Sequence, residues 1–331
     1  MERGKAERDR VPGKSAVLET ANDLIQWNLY YPAVLDPSDL RWTAAEKAAI
    51  TDSLAAYSSG DLIRAVDLYD WKRTSISPAE AAYQAALLLS VGQVDKAQLL
   101  LRKQGEDAPR SLTRLIMAVK ATLQPEWPKP RSASEWLAES YYQQSRHQLE
   151  SARVAARAAV TNASDFGFAW ARLAEMEFSF GRREETAKAL ARALSLSPRN
   201  AQALALQGFI LAAQGQNRAA MAQFDRAIEA EASLGNGWLG RGLCSFRVAR
   251  SAEGLQDLLV AASLEPQRGL LRSYLGKAFA QTGDNSHAAQ ELRLAKELDP
   301  QDPPPGSIPP WCIKNGTRST RPFEISGNHK P

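Results

Sequence analysis

Leu206-Gln207-Gly208-Phe209-Ile210-Leu211-Ala212-Ala213-Gln214-Gly215-Gln216-Asn217-Arg218-Ala219-Ala220 holds one apolar segment, a glycine break and the start of a second apolar segment that runs on to Ala230. Both segments are rich in Ala, Leu, Arg, Glu and Gln, all good helix formers. Two antiparallel helices follow, because Gly215 can take the positive φ that ends the first of them. Outward from this stretch the pattern recurs with a step of 34 residues: Ala174, Gly208, Gly242 and Gly276 share one phase. Gly181, Gly215 and Gly283 share a second, and Ala193, Ala227, Ala261 and Ala295 a third. Pro198, Pro266 and Pro300, with Ala232 in the vacant place, close the units, since proline cannot continue a helix. One such unit cannot bury its own apolar face, whereas stacked units can. The spacing predicts that Gly208, Gly242 and Gly276 lie where two helix backbones approach closely, with Ala227, Ala261 and Ala295 doing the same on the second helix.

With Trp170 and Trp238 near the starts of their units and Ala220 and Ala288 in the second helices, these residues resemble the pattern of the tetratricopeptide repeat (TPR) family. The resemblance implies an all-α fold, a right-handed α-solenoid of TPR helix-turn-helix repeats with a concave face. At 331 residues and 44% hydrophobic content the chain could be two globular domains, but an array has a continuous core and needs no such division. One elongated domain is expected. In chain order we expect a disordered basic tail over 1–14, then a capping helix and linker over 15–45 that lays Trp27, Tyr30 and Tyr31 over the first repeat. Two degenerate TPR units fill 46–110, through Leu54, Gly60, Ala65 and Tyr69, then Leu88, Gly92, Ala97 and Leu101. An irregular insert over 111–132 carries one helix, Ser111 to Leu123, and the Pro-rich Gln124 to Pro130, which no helix can cross. Five units in the central phase occupy 133–300, and 301–331 is a disordered tail.

Residues 21–36, with Gln26-Trp27-Asn28-Leu29-Tyr30-Tyr31-Pro32 followed by Leu35-Asp36, resemble the linker that joins a FecR-type sensor domain to a TPR array in large bacterial proteins. The tail invites a related expectation. Codons available for Pro304 to Trp311, read in a neighbouring frame, can spell Pro-Trp-Leu-Tyr-Ser-Ala-Leu, so the tail reads as an out-of-frame remnant of a longer array.

The net charge of +4 sits in the tails: 1–14 carry five Lys/Arg against three Asp/Glu and 301–331 carry four against two, which leaves the array neutral. A nucleic-acid groove needs its basic residues clustered on one folded face, so no nucleic-acid partner is expected. Cys244 and Cys312 make no disulfide framework, and Cys244 reads as a small core residue. No run approaches the ~18 apolar residues of a membrane span, and Met1 to Lys14 has no apolar stretch behind its charges. As written, the chain is expected in the cytoplasm; as a fragment of a longer sensor protein, at the cell envelope.

Chemistry is sparse. His147, His287 and His329 have no metal-ligand spacing, and Arg182-Arg183-Glu184-Glu185 reads as a solvated surface. Gly235-Asn236-Gly237-Trp238-Leu239-Gly240 matches a dinucleotide fingerprint letter for letter, but no strand precedes it, and its glycines fall at a unit boundary. A non-enzyme with no cofactor and no metal is expected. The TPR resemblance implies that first-helix residues line the inner face. By the register above these include Tyr141, Phe168, Glu175, Phe178, Gln202, Phe209, Asn236, Leu239, Leu243, Phe246 and Lys277. An apolar, aromatic face of this kind suits a peptide or a helix of a protein partner, although such side chains can instead pack between units. The family's grip on a C-terminal carboxylate is disfavoured, because Lys277 is a lone cation. The functional expectation is a protein-protein interaction scaffold. The alternative is a non-binding structural fragment of a larger envelope-associated sensor protein.

Overall fold

Each helix must satisfy the free N–H groups of its first turn, and several starting residues do so by side chain. Thr43 opens α1 (Ala44–Ala49) with a reciprocal capping box, its Oγ1 accepting from Glu46 N at 3.3 Å while Glu46 accepts from Thr43 N at 2.8 Å. After α2 (Thr51–Ser59), Asp61 caps α3 (Leu62–Leu68). Ser77, with Pro78 at the first helical position, caps α4 (Pro78–Ser90), which pairs with α5 (Val94–Gln104). Next come α6 (Arg110–Val119) and α7 (Ala133–Ser145), the latter capped by Ser132, and then α8 (Leu149–Asn162). The series continues through α9 (Gly167–Ser179), α10 (Arg183–Leu196), α11 (Ala201–Ala213) and α12 (Asn217–Ala230). It ends with α13 (Gly235–Arg247), α14 (Ser251–Leu264), α15 (Gly269–Thr282) and α16 (Asn285–Leu298).

This computed structural model describes residues 33–73, 77–122, 124 and 127–299, and no strand occurs among them. The expected basic tail, most of the capping helix, the aromatic cluster at 27–31 and the C-terminal tail lie outside the described residues. The fold is all-α and TPR-like, a succession of helix-turn-helix pairs. No described helix is long and apolar enough to cross a membrane.

The repeat is visible in the backbone itself. Positive φ occurs at His147 (61°), Gly181 (69°), Gly215 (78°), Ala249 (68°) and Gly283 (92°), each 34 residues after the last. These residues reverse the chain between the two helices of a pair. At Gly283, for example, its N–H donates to Ala280 O and that of Asp284 to Phe279 O. Helix α6 ends earlier than Leu123 for the same kind of reason: Ala121 has φ of 50°, and Thr122 N donates back to Met117 O at 2.9 Å.

The chain divides into two compact units. One is Met1–Gln207 with Arg226–Ala232; the other is Gly208–Asp225 with Ser233–Pro331. In the second unit, a Cβ built on Gly242 would lie 3.0 Å from Gly254 O, and one on Gly276 3.2 Å from Ala288 O, so helix backbones do approach closely there. Gly208 differs. Its built Cβ would meet the Phe224 ring at 2.6 Å, and Gly240 lies closer still to that ring, so a fully buried aromatic occupies the space that both glycines leave. Ala227, Ala261 and Ala295 are buried on the second helices.

Ala249 and His147 hold a conformation that costs an L residue about 1–2 kcal/mol. Against the greater entropy loss of glycine, Ala249→Gly should raise stability by about 0.5–1 kcal/mol. A melting midpoint that falls on this replacement would place the turn elsewhere.

Candidate docking surface

The first-helix residues expected to line an inner face are placed mostly in packing. Tyr141, Phe168, Glu175, Phe178, Gln202, Phe209, Asn236, Leu239, Leu243 and Phe246 are all buried, and Lys277 is half-buried with its ammonium 5.4 Å from the Tyr274 ring. They do not form an exposed aromatic stripe. Within the first unit, Phe168 stands 5.7 Å from the Tyr57 ring, because residues 33–61 lie against α7, α9 and the turn after α10. Asp36 N donates to Ser134 Oγ at 2.7 Å, Ser134 N to Asp39 Oδ2 at 3.1 Å, and Tyr57 Oη to Leu35 O at 2.9 Å. Further along, Ser197 Oγ donates to Ser58 O at 2.7 Å, and Arg199 pairs with Asp61 at 2.6 Å. In the second unit, Phe209 packs edge-on against Phe224 at 5.0 Å, the Phe246 ring lies over Gly254, and Asn236 accepts from Arg268 at 3.1 Å.

One of these residues brings a titratable group into the interior. Glu175 faces Arg172, whose guanidinium is buried, 4.2 Å from the centre of the Tyr141 ring, and donates to Ser140 Oγ at 2.9 Å and Glu175 at 3.3 Å. Burial pushes the Glu175 carboxyl up to about 7, against the pull of Arg172. Cys244 is likewise buried, and its thiol is pushed up to about 12. Gly235 to Gly240 form the first turns of α13, and no group of three or more metal-ligating side chains occurs among the described residues.

An open surface lies elsewhere in the first unit, where no motif pointed. A cavity of about 550 Å³ is lined by Val66 of α3, Trp71 of the following turn, Leu88 and Val91 at the end of α4, and Leu99 and Leu100 of α5. Trp71 is 41% exposed and Leu99 is 58% exposed, which for large apolar side chains sharing one hollow calls for an explanation. Ile63, Leu68, Val154 and Leu264 are also exposed but stand outside this cavity, as surface apolar residues commonly do.

The hollow is built by local chemistry. Glu80, wholly buried on α4, accepts from Tyr69 Oη at 3.0 Å and from Arg73 at 2.5 and 3.0 Å, which fastens the turn after α3 onto α4. Between those anchors Trp71 stacks edge-on against Tyr69 at 4.9 Å and donates Nε1–H to Val66 O at 3.0 Å, so its indole is held at the rim. On α5, Ala97 and Leu101 fill the buried face. Another face of the same helix meets α6, where Lys120 bridges Asp95 at 2.7 Å and Gln98 at 2.6 Å. Lys96, Leu99, Leu100 and Lys103 are left on the stripe that borders the cavity. The sequence signal was the run Leu99-Leu100-Leu101, one apolar residue too wide for a helix with a single buried edge.

No protein-family model matches the sequence, and no curated protein does. Among solved structures the chain is similar to TTC0263, a thermophilic TPR protein of Thermus thermophilus, at 16% identity and a TM-score of 0.45, over 52% of this chain and 93% of that one. It is similar to MamA from Desulfovibrio magneticus RS-1 at 17% identity and a TM-score of 0.40, over 53% and 99%. A third likeness is to YrrB, a TPR protein with an unusual peptide-binding site, at 18% identity and a TM-score of 0.38, over 52% and 88%. The TPR character of the fold rests on the helix pairs and on the 34-residue register of the chain itself.

Two outcomes follow from this geometry. Phe246→Ala should cost ~3–5 kcal/mol of folding stability, as a large-to-small change against Gly254, and a variant that melts like the parent would return Phe246 to a surface. The second concerns pH. Because the folded chain keeps a proton on Glu175 where the unfolded chain, near 4.5, has released it, the stability this group contributes is complete below about 4.5 and is lost as pH rises through about 7. Glu175→Gln, neutral at every pH, should remove that slope from a series of melts.

Proposed function

We propose that the chain is a protein-interaction scaffold that holds a peptide or helix of a partner protein. The observation that carries this reading is the apolar hollow bordered by Trp71 and Leu99, two exposed side chains of the kind that anchor partner segments. Its walls belong to three helices and a turn tied down by Glu80, so the surface is preformed and costs little to order on binding. The inner-face stripe is the weaker site, since a partner would first have to displace Tyr57 from Phe168 and the contacts between Asp36 and Ser134. Nothing in the hollow resembles a constellation for catalysis, and its chemistry is that of burial.

The test is a selection of random displayed peptides on the full chain, followed by binding of the selected peptides to variants. Leu99→Asp and Trp71→Ala should each weaken those peptides at least about tenfold, as loss of a hot-spot anchor does, while circular dichroism stays helical. Selected peptides that bind both variants as tightly as the parent would remove the hollow as the docking site.

A further inference from the structure

We infer that the segment taken by this hollow is an acidic amphipathic helix, with two carboxylates one heptad apart and apolar residues between them. This rests on the docking reading above and adds the partner's chemistry to it. Lys96, Leu99, Leu100 and Lys103 stand at i, i+3, i+4 and i+7 of α5, so they form one continuous stripe along the helix surface. The stripe has an apolar middle and a cation at each end, about 10 Å apart by the rise of an α-helix.

Lys96 and Lys103 are the only charged side chains, among the described residues, that line the cavity. Both are exposed. Asp95, the nearest carboxylate in sequence to Lys96, does not line the cavity and is engaged by Lys120 at 2.7 Å. The hollow therefore presents two positive ends around Leu99, Leu100, Leu88 and Trp71, and a complementary ligand carries apolar side chains inside a pair of negative ones. In a helix that is Glu or Asp at i and i+7 with Leu, Ile or Phe at i+3 and i+4, the mirror of the stripe on α5. Apolar burial supplies affinity, and the lysines set orientation and exclude basic segments.

The experiment uses two synthetic helical peptides of about 16 residues, identical except that one carries Glu at the i and i+7 positions and the other Lys. Binding to the full chain is read by fluorescence anisotropy at low and at high salt. The acidic peptide should bind at least about tenfold more tightly than the basic one, and about 0.5 M salt should shrink that preference, because rim charges are screened. In Lys96→Glu/Lys103→Glu the preference should invert, which a merely structural role for the lysines would not produce. Leu99→Asp should abolish binding of both peptides. Equal binding of the two peptides, with loss of both in Leu99→Asp, would overturn the charge inference and leave the docking reading standing. If neither peptide binds, the acidic-helix inference falls while the docking reading is decided by the selected peptides; if binding survives Leu99→Asp, both readings fall. Vesicles of phosphatidylserine that sediment the parent but not the double charge reversal, with no binding of the acidic peptide, would overturn the inference in favour of a membrane surface.

Discussion

The reversal between paired helices admits essentially one backbone solution, a residue in the left-handed region at which the first helix stops and the chain turns back. It recurs at 147, 181, 215, 249 and 283, and the pairing around each turn depends on it. A helix of 13 or 14 residues is marginal alone in water and takes its stability from the face it buries against its partner. The turn fixes which faces meet. Ala261 and Ala295 on second helices are buried because the preceding turn brings them against the first helix of their pair. Three of the five turn residues are glycine, for which the conformation is free, and His147 and Ala249 show that packing can hold an L residue there.

That constraint explains which parts of the fold were legible in the sequence. The period of 34, the helix pairs and the all-α class follow from glycine, proline and alanine placement, which local chemistry fixes. Gly208 was legible as a small residue but not as a site for Phe224, because the choice between a neighbouring backbone and an inserted ring depends on side-chain volume in another helix. The end of α6 at Val119 was hidden for a related reason, since Ala121 in the left-handed region leaves no mark in its residue type.

Of the candidate site, much less was legible. The carry-over of inner-face positions placed Phe168, Phe209 and Phe246 in one register, and register says nothing of what lies over a residue. Phe168 meets Tyr57, more than a hundred residues earlier in the chain, and no periodic pattern anticipates such a contact. Glu175 shows the same limit, because a glutamate on a first helix reads as surface until Arg172 and Tyr141 are seen to enclose it. Trp71 lay near the end of the first degenerate unit, at no marked repeat position, and its exposure is decided by Glu80 pinning the turn on either side of it.

A helix in such an array has more than two neighbours' worth of surface, and its partners can leave a stripe uncovered. On α5, Ala97 and Leu101 face α4, and Asp95 and Gln98 face Lys120, so two of its three sides are accounted for by folding. The third side carries the exposed Leu99 and the half-buried Leu100, and leucine surface left in water lowers the solubility of the folded state without stabilising it. Under the docking reading proposed above, lysines at both ends of that stripe would keep the face hydrated when it is open and discourage like-charged segments from closing it. An apolar centre with hydrated, charged ends suits a surface that spends time both open and occupied, whereas a permanent intramolecular contact would have no use for the exposed ammonium groups of Lys96 and Lys103.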